Sequence, residues 1–163
     1  MTGVAPDLSP ALRFEVSDFY TRYAECLDDG RFEDWPSFFS ANATYRVTTR
    51  ENHDAGMPLS MIYCNGRGMM QDRISALRMA NIYEPHVYCH MTSGLRVESQ
   101  NGPDMTVRSA FSVMRTMTEG ASSVFACGRS FDVLTRESGA LVFRQRLIIL
   151  DSRQIHTLLV IPL

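Results

Sequence analysis

The hydrophobic period of the sequence changes at Pro85, and this change constrains the fold more than any other feature. In the helical segments before Pro85, apolar residues recur at spacings of three and four; after it they alternate, which is typical of strands. Four strands are predicted, at 86–98, 105–117, 122–135 and 140–151. The segments between them, "SQNGPD", "TEGAS" and "RESG", are short turns, so neighbouring strands should be antiparallel.

Alternation also predicts which strand residues share a face. In the strand 105–117 the shared face carries Met105, Val107, Phe111, Val113 and Met117. In the strand 122–135 it carries Phe125, Cys127, Phe131 and Val133. The final segment, "TLLVIPL", is apolar and must be covered by another part of the molecule.

An amphipathic helix is predicted near the N-terminus. Ser9 is a capping residue, Pro10 fits the first helical position, and Gly30 ends the segment. The apolar positions recur at helical spacing and form one face: Leu12, Val16, Phe19, Tyr20, Tyr23 and Leu27. This helix should therefore bury one side against the rest of the chain.

Shorter elements are predicted between this helix and Pro85. Asp34 can cap a short second helix, around which the aromatic side chains form a core cluster of Phe32, Trp35, Phe38 and Phe39. A strand begins at Ala43, a short strand lies within a loop at 59–63, and a third helix runs over about 69–80. Helices first and an antiparallel meander afterwards predict an α+β fold in which a curved sheet wraps around the helices.

Composition bounds the class of protein. The 163 residues suit one domain, 1–163, with 45% hydrophobic and 21% charged residues, as in ordinary globular proteins. The net charge of -2 argues against nucleic-acid binding, which needs a basic face. All 16 basic residues are arginine, so no lysine can form a Schiff base.

The sequence also predicts a cytoplasmic location. The N-terminus has no charged segment followed by an apolar one, and no apolar run approaches the length that crosses a bilayer. Four cysteines occur without a C-x-x-C pair, and we expect them to be reduced, small and buried: Cys26, Cys64, Cys89 and Cys127.

The stretch "EPHVYCHMTSG" resembles a metal site in its letters, but its spacing argues against one. In a helix His86 and His90 would lie roughly 6 Å apart, whereas in a strand they lie about 13 Å apart on one face. The preceding proline and the β-favouring neighbours predict a strand, in which Cys89 points to the opposite side. A Rieske cluster needs two pairs of cysteine and histidine ligands, and no second pair exists. We therefore expect no metal, and no cofactor, in this chain.

A catalytic pocket is a second interpretation of the same residues. No G-x-S-x-G elbow or phosphate-binding glycine loop is present. A cone-shaped fold could line a pocket with Tyr20, His90, Arg108 or Asp151, as in small isomerases and dehydratases that use a buried carboxylate or histidine. Alternatively, His90 is a hydrogen-bonded core or interface residue and Asp151 pairs with an arginine on a neighbouring strand.

Two groups of charged residues suggest surface roles. The acidic run "DDGRFED" at 28–34 is interpreted as a solvated helix end with a cap. Six arginines lie on predicted strands, which is more than a solvated face needs: Arg96, Arg108, Arg115, Arg129, Arg144 and Arg146. A partner surface that bears carboxylates would use them.

Several motifs resemble the small (beta) subunit of bacterial aromatic-ring-hydroxylating oxygenases. They are "FYTRYAECLDDGRFEDWPSFFSANATYRVTTRE", "DRISALR", "EPHVYCHMTSGLRV", "CGRSFDVL" and "LVFRQRLIILD", and the resemblance spans Phe19 to the C-terminus. The patterns A-E-x-L-D-x-x-x-x-x-x-W, ending at Trp35, and G-R-x-x-D-V-L are the most specific. The tract "IYCNGRGMMQDRISALRMANIYEPHVYCH" is most similar to the salicylate 5-hydroxylase branch.

This resemblance implies a cone-like α+β fold of the nuclear transport factor 2 and steroid isomerase type. It also implies a non-catalytic role: a large (alpha) subunit carries the Rieske [2Fe-2S] cluster and mononuclear Fe(II), and three small subunits support three large ones. A ferredoxin and its reductase would deliver the electrons. The alternatives are a stand-alone isomerase or dehydratase and a homomeric ligand-binding protein of the same fold.

The resemblance also suggests where the large subunit could bind. The predicted interface residues are Trp35, Arg50, Arg73, His86 and His90. Many members of the family carry arginines in the strand after the proline, where this chain has Val87 and Cys89. Only the histidine of that pattern, His90, matches, so the contact at this strand should differ in this chain.

Overall fold

The computed structural model describes residues 8–79, 84–152, 159 and 161–163. The helices are α1 (Pro10–Asp28), α2 (Arg50–Asp54) and α3 (Arg67–Met79), with a 3₁₀ helix at Trp35–Phe38. The strands are β1 (Phe39–Thr49), β2 (Ile62–Asn65), β3 (His86–Asn101), β4 (Asp104–Met117), β5 (Ser122–Glu137) and β6 (Ala140–Leu150). The prediction of a cone-like α+β fold with N-terminal helices and a mostly antiparallel sheet is confirmed.

Helix α1 forms as its sequence predicts. The Ser9 hydroxyl accepts a hydrogen bond from the Leu12 N–H at 3.2 Å, and Pro10 occupies the first turn. Gly30 follows with φ 69°, a left-handed conformation that glycine adopts without strain. The buried face consists of Val16, Phe19, Tyr20, Tyr23, Cys26 and Leu27. None of the helices among the described residues is both long and apolar enough to cross a bilayer.

One sheet contains all six strands, in the order β2-β1-β6-β5-β4-β3. The pairs β3/β4, β4/β5 and β5/β6 are antiparallel, as the short turns predict. Strand β1 pairs with β6 in parallel, a contact between distant parts of the chain that local periodicity cannot predict. The edge strands of the sheet are therefore the short strand β2 and the long strand β3.

The inner face of the sheet packs against α1 and α3. In β4 three residues of the predicted shared face, Met105, Val107 and Val113, are buried, whereas Phe111 and Met117 are only partly buried. Rings of α1 meet rings of the sheet edge to face; Phe19 and Phe143 lie 4.9 Å apart between centroids. These contacts make one apolar cluster that joins the helices to the sheet.

The prediction of which β5 residues are buried is wrong. A β-bulge interrupts the register, since Val113 pairs with Ala126 and Met114 with Val124. Phe125 is the extra residue and packs against Tyr88, with ring centroids 5.0 Å apart. The buried positions after the bulge are Ala126, Gly128, Ser130, Asp132 and Leu134, whereas Cys127, Phe131 and Val133 are only partly buried.

The elements between α1 and β3 differ from prediction at their ends. Asp34 precedes the 3₁₀ helix, but its side chain makes no capping bond. The short strand runs over 62–65 and not 59–63, and α3 begins two residues earlier than predicted. Residue 80, the predicted end of α3, lies outside the described residues. Helix α2 was not predicted, because five residues are too few for a periodic signal.

The C-terminal residues and two of the cysteines complete the core. Ile161 and Leu163 are buried, as the apolar final segment predicts for its described residues. The Leu163 carbonyl accepts a hydrogen bond from the Tyr23 hydroxyl at 2.7 Å. Cys26 and Cys64 are buried, Cys127 is partly buried, and the expectation of burial is wrong for Cys89, which is exposed on β3.

Candidate functional site

A histidine and an aspartate meet where α1 packs against β3. The His90 Nδ1–H donates to Asp28 Oδ1 at 2.6 Å, and the His90 backbone N–H donates to both carboxylate oxygens at 3.1 and 2.9 Å. The His90 side chain is 7% exposed and that of Asp28 is 24% exposed. The interpretation of Asp28 as part of a solvated helix end is therefore wrong, because the carboxylate binds a strand 62 residues away.

This pair lines a cleft of about 220 Å³. The walls come from one face of α1 and from β3, and comprise Ser17, Tyr20, Thr21, Ala24, Glu25, Asp28, His90, Thr92 and Leu95. Asp28 fixes which nitrogen of the His90 ring carries the proton, and Nε2 is buried without a hydrogen-bond partner. The arrangement can orient a general base. It also covers part of the backbone of the edge strand β3, whose unpaired N–H and C=O groups could otherwise pair with a strand of another chain.

A buried ionic network lies on the inner face behind Tyr20. The Arg146 guanidinium donates to Asp132 Oδ2 at 2.7 Å, the Tyr20 hydroxyl donates to the same oxygen at 2.6 Å, and Ser130 donates at 2.9 Å. The side chains of Arg146 and Asp132 are 7% and 0% exposed. Arg146 also lies 4.6 Å from the centroid of the Tyr23 ring, a cation–π contact.

Burial controls the protonation of this network. Desolvation raises the pKa of Asp132, and Arg146, Tyr20 and Ser130 oppose that rise by stabilising the carboxylate. Desolvation, followed by the charge of Asp132, raises the pKa of Tyr20 well above its ordinary value. Burial raises the pKa of Tyr23 to about 12. Through these hydrogen bonds the network joins α1 to β5 and β6.

The structure brings together only part of the predicted pocket. Tyr20 and His90 both line the cleft, but Arg108 and Asp151 do not. Arg108 lies over the Phe131 ring at 5.4 Å, and Asp151 accepts from Arg50 Nε at 2.6 Å. Asp151 is thus paired with an arginine, as one alternative predicted, although Arg50 belongs to α2 and not to a strand.

Each predicted interface residue is buried or has a hydrogen-bond partner within the chain. Trp35 has no exposed surface in the isolated chain, and its indole N–H donates to the Tyr23 hydroxyl at 2.9 Å. This corrects its assignment as a direct contact. Arg50 pairs with Asp151, Arg73 Nη2 donates to the Leu159 carbonyl at 2.6 Å, and His86 Nδ1–H donates to the Glu84 carbonyl at 2.7 Å.

The strand arginines separate into two groups. Arg146 is buried, Arg144 pairs with Asp104, and Arg115 lies over the Phe125 ring at 5.2 Å. The other three point to the outer face of the sheet: Arg96, Arg108 and Arg129. The outer group offers several cations on one face to a partner surface, as the sequence suggested.

The strand prediction for the histidine-rich stretch is confirmed by β3. His86 and His90 share the inner side, and both Nδ1 atoms are bonded within the chain. Among the residues that the structure describes, no cluster of three histidine, cysteine or acidic side chains could hold a metal ion. His156 lies outside those residues.

Comparison with known proteins places the chain in a family. Residues 22–157 match the family model described as the ring-hydroxylating beta subunit. The chain belongs to this beta-subunit family. It is 36% identical over 150 residues to the small subunit of anthranilate 1,2-dioxygenase from Burkholderia cepacia, which covers 92% of this chain and 93% of that protein. It is also 36% identical over 149 residues to a beta subunit of terephthalate 1,2-dioxygenase from Comamonas, with 91% and 97% covered.

A solved structure gives the same family relationship. The crystal structure of a protein from Novosphingobium aromaticivorans, assigned as the beta subunit of an aromatic-ring-hydroxylating dioxygenase, superposes with a TM-score of 0.84. It is 30% identical and covers 93% of this chain and 95% of that one. The resemblance to small subunits of aromatic-ring-hydroxylating oxygenases is thus confirmed at the level of the family.

Both aspartates of the beta-subunit motifs lie in the hydrogen-bond networks above. Asp28 is the aspartate of A-E-x-L-D, and Asp132 is the aspartate of G-R-x-x-D-V-L. The two motifs by themselves identify no partner for either aspartate. A polar residue within an alternating apolar strand was the available signal for Asp132, since buried carboxylates need a partner.

Proposed function

We propose that the chain is the structural small subunit of a multicomponent aromatic-ring hydroxylase. The observation that carries the proposal is the family match over residues 22–157, which includes both aspartate motifs. In this chain those aspartates join α1 to the sheet: Asp28 binds β3, and Asp132 binds Tyr20 and Arg146. A rigid scaffold of this kind suits a subunit that supports assembly.

In the proposed complex three such chains support three large subunits. The large subunit carries the Rieske cluster and the mononuclear iron, and a ferredoxin and its reductase deliver electrons to it. The large subunit then performs the oxygen chemistry. This chain contributes no catalytic group and acts by stabilising the assembly.

The proposed substrate is salicylate, hydroxylated at position 5. Two relatives are subunits of dioxygenases for anthranilate and terephthalate, which are aromatic carboxylic acids like salicylate. The similarity of the tract around residues 62–90 to the salicylate branch supports this choice.

Co-expression with the large subunit of the same organism tests the assignment. The purified pair should elute as a hexamer by size exclusion and contain iron. It should consume oxygen with salicylate when ferredoxin, reductase and a two-electron donor for the reductase are added. The small chain alone should contain no stoichiometric iron and turn over no substrate. A small chain that remains separate from the large subunit under these conditions contradicts the proposal.

A stand-alone activity in the cleft is the second candidate. The observation that favours it is the His90 ring, which Asp28 orients and whose Nε2 has no hydrogen-bond partner. The isolated chain would then convert a small substrate by proton transfer, and His90→Gln would abolish turnover while the melting temperature changed little. Absence of turnover in the isolated chain, together with normal assembly of His90→Gln, removes this candidate.

A further inference from the structure

The outer face of the sheet has a covered half and an open half. Residues 50–61 cover β1 and β6: Arg46 Nε donates to the Ser60 hydroxyl at 2.7 Å, and the Thr48 hydroxyl donates to the Leu59 carbonyl at 2.9 Å. On β3 and β5, outward-facing side chains remain exposed in the isolated chain. Val87 is 62% exposed, Val124 61% and Met91 45%.

Strand register places the exposed apolar residues beside one another. Cys89 pairs with Met114, and Met114 pairs with Val124, so one row crosses three strands. Side chains two residues apart on a strand share a face, which adds the two neighbours of Cys89 on β3. We call the set the open patch: Val87, Cys89, Met91, Met114 and Val124.

Three arginines extend the open patch along the same face. Arg96 lies directly opposite Arg108, and Arg129 pairs with Ala110, two residues from Arg108. Like charges directly opposite each other destabilise a sheet, so the pairing of Arg96 with Arg108 does not stabilise the isolated chain. The carboxylate beside them is Glu98, which lies 3.9 Å from Arg108, and both side chains are close to half exposed.

We propose that the open patch and these three arginines form the surface that binds the large subunit. The inference rests on the proposed function and specifies its interface. The complementary surface has an apolar centre that meets the open patch and at least two carboxylates that meet the arginines. A second copy of this chain fits poorly, because the same face would bring three arginines and one carboxylate to the contact.

Matched variants in the co-expressed complex test this surface. Val124→Glu places a charge in the open patch, and Arg96→Glu reverses a charge beside it. Leu59→Glu is the control, since Leu59 is 57% exposed but lies on the covering segment. Both surface variants should lower the affinity for the large subunit by about tenfold or more, while the control binds as the unaltered chain does.

The outcomes separate this inference from the proposed function. If the unaltered chain binds the large subunit and both surface variants bind equally well, the surface is wrong and the proposed function stands. If Leu59→Glu alone weakens binding, the interface lies on the covered half, which also overturns the inference. If the unaltered chain binds no large subunit, the proposed function and the proposed surface are both wrong.

The thiol of Cys89 provides a measurement that does not depend on folding of a variant. Cys89 is exposed in the isolated chain, so it should react rapidly with a maleimide, while Cys26 and Cys64 react slowly. Formation of the complex should slow the labelling of Cys89, as read by peptide mass spectrometry. Unchanged labelling in the complex overturns the inference, as does protection in the isolated chain at high concentration, which would assign the surface to a second copy.

Discussion

Arginines on the two faces of the sheet differ in the partners that the fold gives them. On the inner face Arg146 contacts Asp132 and three aromatic rings within the chain, those of Tyr20, Tyr23 and Phe143. On the outer face Arg96 and Arg108 face each other, with Glu98 close to one of them. The inner arginine therefore has a close, buried counter-charge within the fold, whereas the ion pair on the outer face is longer and exposed.

The difference separates stability from recognition. A buried charge must find its counter-charge during folding, because an isolated ion inside a protein is strongly unfavourable. A surface arginine can remain solvated until a partner supplies a carboxylate. The inner network should thus determine whether the subunit folds, and the outer arginines should determine what it binds.

Removal of the inner arginine should produce the largest effect. Arg146→Met leaves Asp132 buried and unpaired, which should lower the free energy of unfolding by about 3–5 kcal/mol. The control is Arg144→Met on the same strand, an exposed arginine that pairs with Asp104 and should cost less than about 1 kcal/mol. Urea denaturation followed by circular dichroism measures both, and equal losses would show that the inner pair has no special role.

A second substitution on the inner face tests whether the loss of stability comes from the unpaired charge of Asp132. The double variant Arg146→Met, Asp132→Leu removes both charges, so it should recover much of the stability that the single variant loses. A double variant that is less stable than the single one would mean that the hydrogen bonds of Asp132 matter more than the charge balance.

The contact between Asp28 and His90 is less buried than the Arg146–Asp132 pair and more buried than the surface ion pairs. Its loss should therefore lower the free energy of unfolding by an intermediate amount. Asp28→Ala removes the acceptor of the His90 backbone and ring N–H groups, which should cost about 1–3 kcal/mol. Asp29→Ala is the matched control, since Asp29 pairs with the exposed Arg31. Thermal unfolding of the two variants distinguishes them, and a loss no greater than that of Asp29→Ala would make Asp28 an ordinary surface residue.

The contribution of an exposed ion pair, Glu33 with Arg78, to the free energy of unfolding should depend on pH in a predictable direction. Hydrogen bonds from Arg78 lower the pKa of Glu33 to about 2, below an unfolded value of about 4.3. The pair therefore stabilises the protein above the unfolded pKa, and the contribution is lost as the pH falls through the folded pKa. Glu33→Gln should cost no more than about 1 kcal/mol at pH 7.

The pH series is the measurement that checks this pair. The stability difference between the unaltered chain and Glu33→Gln should shrink as the pH is lowered from 6 towards 2. A difference that stays constant over this range would indicate that Glu33 acts through packing and not through its charge.

The outer arginines should give the smallest effect on the isolated chain, with the opposite sign. Arg96→Thr removes the repulsion with Arg108 and places a β-favouring residue on the strand, so stability should stay equal or rise by about 0.2–0.5 kcal/mol. Binding of the large subunit should weaken at the same time. A clear loss of stability in the isolated chain would place Arg96 with the inner, structural arginines.

The sequence alone predicts the elements whose pattern is local. Helix α1, with its Ser9 cap and Gly30 end, and the four strands after Pro85 appear within a few residues of their predicted bounds. Helical and strand periods depend on residues within one or two turns of chain, and that information is present in any short window.

β-Bulges and strand register are harder to predict from a short stretch of sequence, because they depend on the neighbouring strand. The expected face of β5 was displaced at Phe125, because one extra residue reverses the side on which the preceding residues lie. Trp35 is expected both in the aromatic core cluster and at the interface, and the structure places it in the core. A motif alone does not distinguish a residue that packs inside from one that contacts a partner.

The α+β class, the amphipathic helix and the antiparallel meander thus follow from the pattern of residues along the chain. The parallel pairing of β1 with β6, the partner of Asp28 and the partner of Asp132 follow only from the packed fold. Tyr20 and Asp132 are 112 residues apart in the chain, and their contact exists only because the sheet curves around α1. Local propensity sets each element, whereas the partners of charged side chains follow from how the elements pack, which no single segment encodes.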